Sequence, residues 1–356
     1  MILRVGLLIT SVLLMVSGLW AGEVRMGWDL PAGGLAGLHG PLMVAAFFGT
    51  LIALERAVGL NEAWTYVGPA LMAIGGLALF FPVDLRWIML TLTVGAAFYV
   101  AVAAYIYKLQ PADFTLVMGL GALSLFLGDL AWVMGAPRQV MSLWWMAFLV
   151  FIVAGERLEL SRFVPKPLAA IRGFIAVTAL TLLGLVLASF GVHHADRLVG
   201  LGFLLQGIWL LRFDIAWVNA RHREGVHKFM GVSLLTAYVW LLVGGVWMLL
   251  AGLAPAGPGY DGPLHAIFVG FTFAMVFGHA PVIFPAVLRL KIRFHPAMYR
   301  PLWMLHAALA ARILGDLFSN APLRLWGGMI SGIAVVVYFV LAMAVTLFGR
   351  DEEQAQ

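Results

Sequence analysis

Two histidines, His265 and His279, lie in one apolar stretch that runs from residue 262 to residue 290. They are 14 residues apart, which on a helix brings their side chains to within about 40° of each other and about 21 Å apart along the axis. A histidine in a membrane segment is rare unless it faces a bundle interior, a cavity or a ligand. The stretch is therefore the first candidate for a functional site.

His39 opens a second apolar segment, as His265 opens its own. With the orientation derived below, both histidines are predicted near the same membrane face, on helices that run in the same direction. A neutral imidazole is a good ligand for haem iron, and two helices that present one histidine each can hold a six-coordinate haem. We expect His39 and His265 to ligate a b-type haem. The alternative is two unrelated histidines that are hydrogen-bonded to carbonyl groups at helix starts.

Adjacent histidines follow the seventh apolar segment, with a carboxylate nearby: His193, His194 and Asp196. Such a group is typical of copper or zinc sites, although a solvated loop pair often binds nothing. These histidines are the second metal candidates, and copper is the metal that we expect.

Other histidines have weaker patterns. His279 follows Met275 by four residues, and His39 precedes Met43 by four, so each pair shares a helix face on which imidazole and thioether would suit copper. His306 is predicted at a depth similar to that of His279. His279 and His306 are the next cofactor-binding candidates, with a proton relay or plain packing as alternatives.

A few charged residues fall inside apolar segments: Asp129, Arg212, Asp214, Arg312 and Asp316. Arg312 and Asp316 are four residues apart on one helix face, so a local ion pair is one interpretation. The other assigns Arg312 to a haem propionate, because arginine makes paired hydrogen bonds to carboxylates. Asp129 and Asp316 are candidate proton or charge sites.

The composition excludes most soluble classes. Of the 356 residues, 63% are hydrophobic and 11% charged, whereas a soluble domain has about 45 to 50% and about 25%. Cysteine is absent, which excludes disulfides, thiolate metal sites and cysteine nucleophiles. The sequence contains no Walker loop, GxSxG or HExxH motif, and nothing indicates nucleic acid as a partner.

The apolar runs predict an all-α integral membrane protein in the lipid bilayer, as a single polytopic domain over residues 1–356. The runs are close to the length of about 17 to 25 residues that a bilayer requires. Twelve transmembrane segments are predicted: 2–21, 36–60, 65–83, 87–108, 112–134, 141–160, 169–191, 195–219, 227–253, 263–288, 300–320 and 324–349.

Basic residues fix the predicted orientation. With the amino terminus in the cytoplasm, 16 of the 22 lysines and arginines fall on the cytoplasmic side, so the positive-inside rule places both termini there, in a bacterial-type inner membrane. Glu55, Arg56, Glu156 and Arg157 are then predicted near the cytoplasmic surface, in structural roles.

Two short internal echoes suggest repeats. Residues 53–56 (ALER) and 154–157 (AGER) end segments 2 and 6, and segment 10 ends with a basic residue too, which indicates three units of four helices with segments 2, 6 and 10 equivalent. A rival echo, LGDL at 127–130 and at 314–317, indicates two units of six. Matches of four residues arise easily by chance, so both arrangements stay open.

The segment pattern and these histidines resemble the catalytic subunit of the haem-copper oxidases and nitric oxide reductases. The resemblance implies that His39 and His265 hold a low-spin haem and that His193 and His194 contribute to a copper or non-haem iron site. The chain departs from that superfamily at 141–145 (MSLWW), where a further metal-site histidine is missing, and after His265, where the family's second histidine is absent.

Two stretches of the sequence are more similar to the NnrS family, which consists of haem- and copper-containing membrane proteins of the bacterial nitric oxide response. They are residues 38–58 (LHGPLMVAAFFGTLIALERAV) and residues 265–287 (HAIFVGFTFAMVFGHAPVIFPAV). This resemblance implies binding or processing of nitric oxide or a related small molecule, or electron transfer, and leaves oxidoreductase activity open.

Two other classes remain alternatives. Pro281 and Pro285 predict a kink beyond His279, of the kind that secondary transporters use at substrate sites. A non-catalytic subunit of a respiratory or maturation complex is the third class.

Overall fold

The computed structural model of this chain describes residues 2–31, 34–288, 290 and 293–348. These residues form helices joined by short connections, with no strand among them. The helices, in chain order, are α1 (Ile2–Met26), α2 (Leu35–Leu60), α3 (Ala63–Ala78), α4 (Leu85–Leu109), α5 (Asp113–Val133), α6 (Arg138–Leu160), α7 (Leu168–Ser189), α8 (Ala195–Phe213), α9 (Ala216–His222), α10 (Gly225–Ala251), α11 (Pro258–Ala286), α12 (Tyr299–Leu317) and α13 (Ala321–Phe348).

Within the described part of the chain, nine helices are long and apolar enough to cross a membrane. The pair α8 and α9 passes the same test jointly, with a bend of 41° between them. The short α3 and the more charged α12, which carries Arg300, Arg312 and Asp316, do not pass. The chain is therefore a multi-pass helical membrane protein in which each predicted segment overlaps a helix.

The chain divides into two compact units, residues 1–148 and residues 149–356. In the first unit α1, α3 and α4 pack against α2, of which every residue from Leu42 to Phe48 is buried, and α5 packs against α4. The second unit is built from two close helix pairs, α8 with α10 and α12 with α13, and from α11, which packs on α10 and α12.

Small residues determine how closely α8 and α10 approach. A Cβ atom at Gly200 would lie 2.6 Å from the Cβ of Met248, and one at Gly245 would lie 2.6 Å from the backbone nitrogen of Leu204. Such distances are below van der Waals contact, so only glycine fits at these two positions. Small residues at helix crossings are the usual means of close packing in lipid, where apolar side chains gain little by leaving the bilayer.

Two helices contain wider, π-helical stretches: Leu42–Phe48 in α2 and Ala266–Phe273 in α11. His39 is three residues before the first stretch and His265 is directly before the second. Short π-helical turns are rare and are frequent at functional sites. Helix continues past Pro281 and Pro285, and the π-helical stretch of α11 precedes His279.

Candidate functional site

His39 lies on the surface of α1, where two glycines are four residues apart. Its Nδ1 is 2.7 Å from the carbonyl oxygen of Gly18. A Cβ atom at Gly22 would be 2.8 Å from both Nδ1 and Cε1 of the His39 ring, and one at Gly18 would be 2.9 Å from Cγ of Met43. The two glycines thus form the seat on which the start of α2 packs.

The seat was missed in the sequence, although a signal was present. Residues 18–22 read GLWAG, which has the GxxxG spacing that places two glycines on one face of a membrane helix. From the sequence, α1 was interpreted only as a spanning helix, because no chemically reactive residue lies in this part of it.

His265 is half-buried at the junction between the α-helical start of α11 and its π-helical stretch. Its Nδ1 is 2.7 Å from the carbonyl oxygen of Asp261, one turn earlier. Nη2 of Arg312, from α12, is 3.3 Å from the same ring nitrogen. A cationic side chain therefore lies directly beside the predicted haem ligand.

The same hydrogen bond recurs at both histidines and assigns their tautomer. A carbonyl oxygen can only accept, so the closest contact of each ring requires a proton on Nδ1 and leaves the lone pair on Nε2. The longer contact of Arg312 with Nδ1 of His265 then brings a charge close to the ring and is not a hydrogen bond. Histidines that ligate metals commonly donate their other ring N–H to a backbone carbonyl, which fixes the ring and raises its basicity. Each histidine by itself therefore has the chemistry of an Nε2 ligand to haem iron.

Charges of both signs surround the start of α11. Arg324, from α13, contacts the carboxylate of Asp261 and lies 2.8 Å from Oδ1 of Asp316. Asp316 thus has an ion-pair partner on a neighbouring helix, beyond the local pair that its spacing from Arg312 predicted. Arg312 is 7% exposed, so its guanidinium would meet a propionate in surroundings where a charge-assisted hydrogen bond is strong.

His279 has a different environment from His265, although both lie on α11. Its Nδ1 is 2.7 Å from the carbonyl oxygen of Met275, and its Nε2 is 3.2 Å from Nη1 of Arg157. Arginine can only donate, so Nε2 is the acceptor and its lone pair is already used. As placed, His279 offers no nitrogen to a metal and belongs to a cluster with Arg157.

Arg157 anchors that cluster in the interior of the second unit. Its side chain is 2% exposed, and its Nε donates to Oδ2 of Asp214 at 2.9 Å. Oδ1 of Asp214 accepts from the backbone N–H of Ala216 at 2.7 Å, which places the carboxylate at the 41° bend between α8 and α9. A buried ion pair therefore joins α6, the broken helix and α11.

The sequence reading predicted Arg157 near the cytoplasmic surface in a structural role, and it did not foresee this pair. Arg157 and Asp214 are 57 residues apart, and nothing local to either residue announces the other. The usable signal was weaker: both charges fall within predicted apolar segments, where a charged group needs a partner.

His306 holds two helices together. Its Nδ1 accepts from Nε1 of Trp240 at 3.0 Å, and its Nε2 is 2.9 Å from Oγ1 of Thr236. Trp240 and Thr236 both belong to α10, whereas His306 is on α12. Both ring nitrogens are engaged, so His306 serves as a polar contact between helices rather than as an available ligand.

His193 and His194 are exposed, and their rings meet edge to face with centroids 4.3 Å apart. The nearby carboxylate of Asp196 accepts from the backbone N–H of Leu253, at the end of α10. No group of three or more histidines, aspartates and glutamates placed to hold a metal ion is found in the described ranges. Copper binding by His193 and His194 stays a prediction, and the arrangement of the side chains around them gives it no further support.

Asp129 lies in the first unit, on α5, with no exposed surface. Its Oδ1 accepts from Nε1 of Trp145 at 2.9 Å.

The fold and these polar groups define a multi-pass helical membrane protein with histidines and charges in its interior. A family model described as "Domain of unknown function (DUF8744)" matches residues 4–347, and the chain belongs to that family. No curated protein matches the sequence.

Proposed function

We propose that this protein is a membrane haem protein of the NnrS or haem-copper type, with His39 and His265 as axial ligands of a b-type haem. Haem iron held by two histidines passes electrons, and it would bind a diatomic ligand where one of the two histidine positions opens. Binding or processing of nitric oxide or a related small molecule, or electron transfer, is the function that such a haem would support.

One observation carries the proposal: the two histidines have matching environments. Each ring directs Nδ1 at a backbone carbonyl 2.7 Å away, and each lies within three residues of a π-helical stretch. No other pair of histidines in the described part of the chain shares both features. The rings are thereby held in the tautomer in which Nε2 is the ligating atom.

Arg312 would contribute a second kind of contact. Its guanidinium is 3.3 Å from His265 and buried, within reach of the edge of any porphyrin that His265 ligates. There it would bind a propionate and offset its charge, while Arg324 would stay in contact with Asp261 and Asp316.

The proposal includes a topology of twelve spanning helices in a bacterial-type inner membrane, with both termini in the cytoplasm. In this topology the bent pair α8 and α9 and the short α3 would be surrounded by other helices and not by lipid. The matched histidines and π-helical stretches of α2 and α11 favour three units of four helices over two units of six. Copper at His193 and His194 is proposed from the resemblance alone.

The test is the visible spectrum of the purified protein, with metal analysis. We expect a Soret band that His39→Ala and His265→Ala each abolish or shift, because each substitution removes one axial ligand. His193→Ala, which alters an exposed histidine, is the matched control and should leave the band unchanged. A folded, colourless protein, or a Soret band indifferent to both ligand variants, contradicts the haem assignment.

Secondary transport is a second candidate function, favoured by the ion pair at the broken helix. Discontinuous helices with buried charges form substrate and ion sites in many transporters, and Asp214 lies at such a break with Arg157 and His279 as its neighbours. Proton uptake by proteoliposomes, followed with an internal pH dye, would favour it if Asp214→Asn abolished uptake. Exposed Arg172 provides the control, Arg172→Ala.

A further inference from the structure

Asp129 is a carboxyl group with one hydrogen bond and no ion pair. Oδ1 accepts from the indole Nε1–H of Trp145 at 2.9 Å. Oδ2 is buried and has no hydrogen-bond partner in the described part of the chain. The residue has 0% exposure and lies on α5, one of the helices long and apolar enough to cross the membrane.

Aromatic rings and backbone line this site. The Trp145 indole lies over Gly128, where a Cβ atom would be 2.7 Å from Nε1, and it reaches Gly40 of α2, where a Cβ atom would be 3.4 Å from Cζ3. Trp132 contacts Trp145 edge to face, with centroids 6.3 Å apart. Asp129 therefore faces aromatic rings and backbone, and an ionised carboxylate at this position would be poorly solvated.

The charged groups at this end of the unit point elsewhere. Arg86 opens α4 and Arg138 opens α6, at the same end as the last turns of α5, and both side chains are exposed. On α2, the titratable residue next to Gly40 in the sequence is His39. The Nδ1 atom of His39 contacts the carbonyl oxygen of Gly18. No described cation forms an ion pair with Asp129.

These surroundings select the protonated form of the carboxyl group. An ionised carboxylate without a counter-charge is far more costly to bury than a neutral acid. Because Oδ1 accepts the indole N–H, the proton belongs on Oδ2, the oxygen that no protein donor occupies. We infer that Asp129 is a proton-binding site, with Oδ2 as the atom that binds and releases the proton.

This assignment adds a function that haem ligation does not include. Carboxyl groups buried in spanning helices are the usual stations of proton relays in pumps and transporters. Asp129 would hold one proton inside the first unit at neutral pH and release it when water or a basic group reaches Oδ2. This chemistry depends on Asp129 and Trp145 and does not require haem.

Infrared spectroscopy of the purified protein at pH 7 tests the inference. A protonated carboxyl group has a carbonyl stretch that is well separated from carboxylate bands and shifts in D₂O. We expect this band in the wild-type protein and its loss in Asp129→Asn, which preserves shape and neutrality. Asp214→Asn is the matched control: Asp214 is buried too, but its Oδ2 accepts from Nε of Arg157 at 2.9 Å and should be ionised, so the band persists.

A second variant keeps the assignment falsifiable if Asp129→Asn fails to fold. Trp145→Phe retains the carboxyl group but removes its hydrogen bond, so the band should move to higher frequency. Dicyclohexylcarbodiimide, which modifies protonated carboxyl groups in apolar surroundings, should label Asp129 in the peptide map. No carboxylic acid band at pH 7, or a band that survives Asp129→Asn and disappears in Asp214→Asn, overturns the inference.

Discussion

At the scale of single residues, hydrogen bonds sort histidines that look alike in the sequence. All four of His39, His265, His279 and His306 lie in apolar helices, and a backbone carbonyl contacts Nδ1 of the first three. Their side-chain contacts differ: Nε2 of His279 accepts from Arg157, and His306 contacts Trp240 and Thr236, whereas Arg312 lies at Nδ1 of His265. Residue type and helix position are readable from sequence, whereas the partner of each nitrogen depends on packing between helices.

Arg157 gives the clearest prediction at this scale. Arg157→Met leaves Asp214 ionised and buried without its partner, which should lower the free energy of unfolding by about 3–5 kcal/mol. Thermal melting in detergent, followed by circular dichroism, measures the loss. Arg172→Ala, at an exposed arginine, should change the melting temperature little.

The pair itself is tested by the double variant. Arg157→Met combined with Asp214→Asn removes both charges together, so it should melt at a higher temperature than Arg157→Met alone. If the double variant is instead the sum of two full losses, the stabilising element is not the ion pair, and Asp214 acts only through its hydrogen bond to Ala216.

At the scale of helices, hydrophobic runs were enough to locate the elements but not to describe their irregularities. Each of the twelve predicted segments overlaps a helix. The π-helical stretches have no sequence periodicity of their own: residues 42–48 read LMVAAFF and residues 266–273 read AIFVGFTF. Such stretches depend on tertiary contacts, and prolines, the local signal for a break, lie in helix at 281 and 285.

The glycine seat on α1 gives a prediction at this scale. In Gly22→Ala the new methyl group would lie 2.8 Å from the His39 ring, so the ring must move, at a cost of about 1–3 kcal/mol for an overpacked contact. Gly6→Ala is a control on the same helix, because a Cβ atom there meets nothing within 4 Å. Melting temperatures should therefore fall in the first variant and stay level or rise in the second.

The same two variants bear on the haem proposal. If His39 ligates haem, Gly22→Ala should also shift the Soret band, whereas Gly6→Ala should not. A lowered melting temperature with an unchanged Soret band would mean that the seat supports α2 but that His39 is not an axial ligand.

At the scale of the whole molecule, composition was sufficient to predict the class of protein, and the distribution of charge was sufficient to propose an orientation. The structure adds the division into two units, which the sequence did not predict because no polar linker separates residues 148 and 149, both within α6. Apolar content identifies helices that face lipid or each other, but it does not say which helices associate.

The absence of cysteine makes the proposed orientation directly testable. Val192→Cys and Glu224→Cys each introduce a single thiol at an exposed position, between α7 and α8 and between α9 and α10 respectively. A membrane-impermeant maleimide added to intact cells should label residue 192 only, and inverted vesicles should show the reverse. The opposite labelling pattern would invert the topology.

The π-helical stretches also set the phase of their helices. A π-helical turn, with hydrogen bonds between residues i and i+5, contains one residue more than an α-helical turn. One residue corresponds to about 100° of rotation about the helix axis. Loss of a single residue between Leu42 and Phe48 would let that part of α2 become regular and would turn His39 away from Gly18 and Gly22, with the rest of the helix left in register. A one-codon deletion, rather than any substitution, is therefore the smallest change that would detach this histidine from its seat without altering its chemistry.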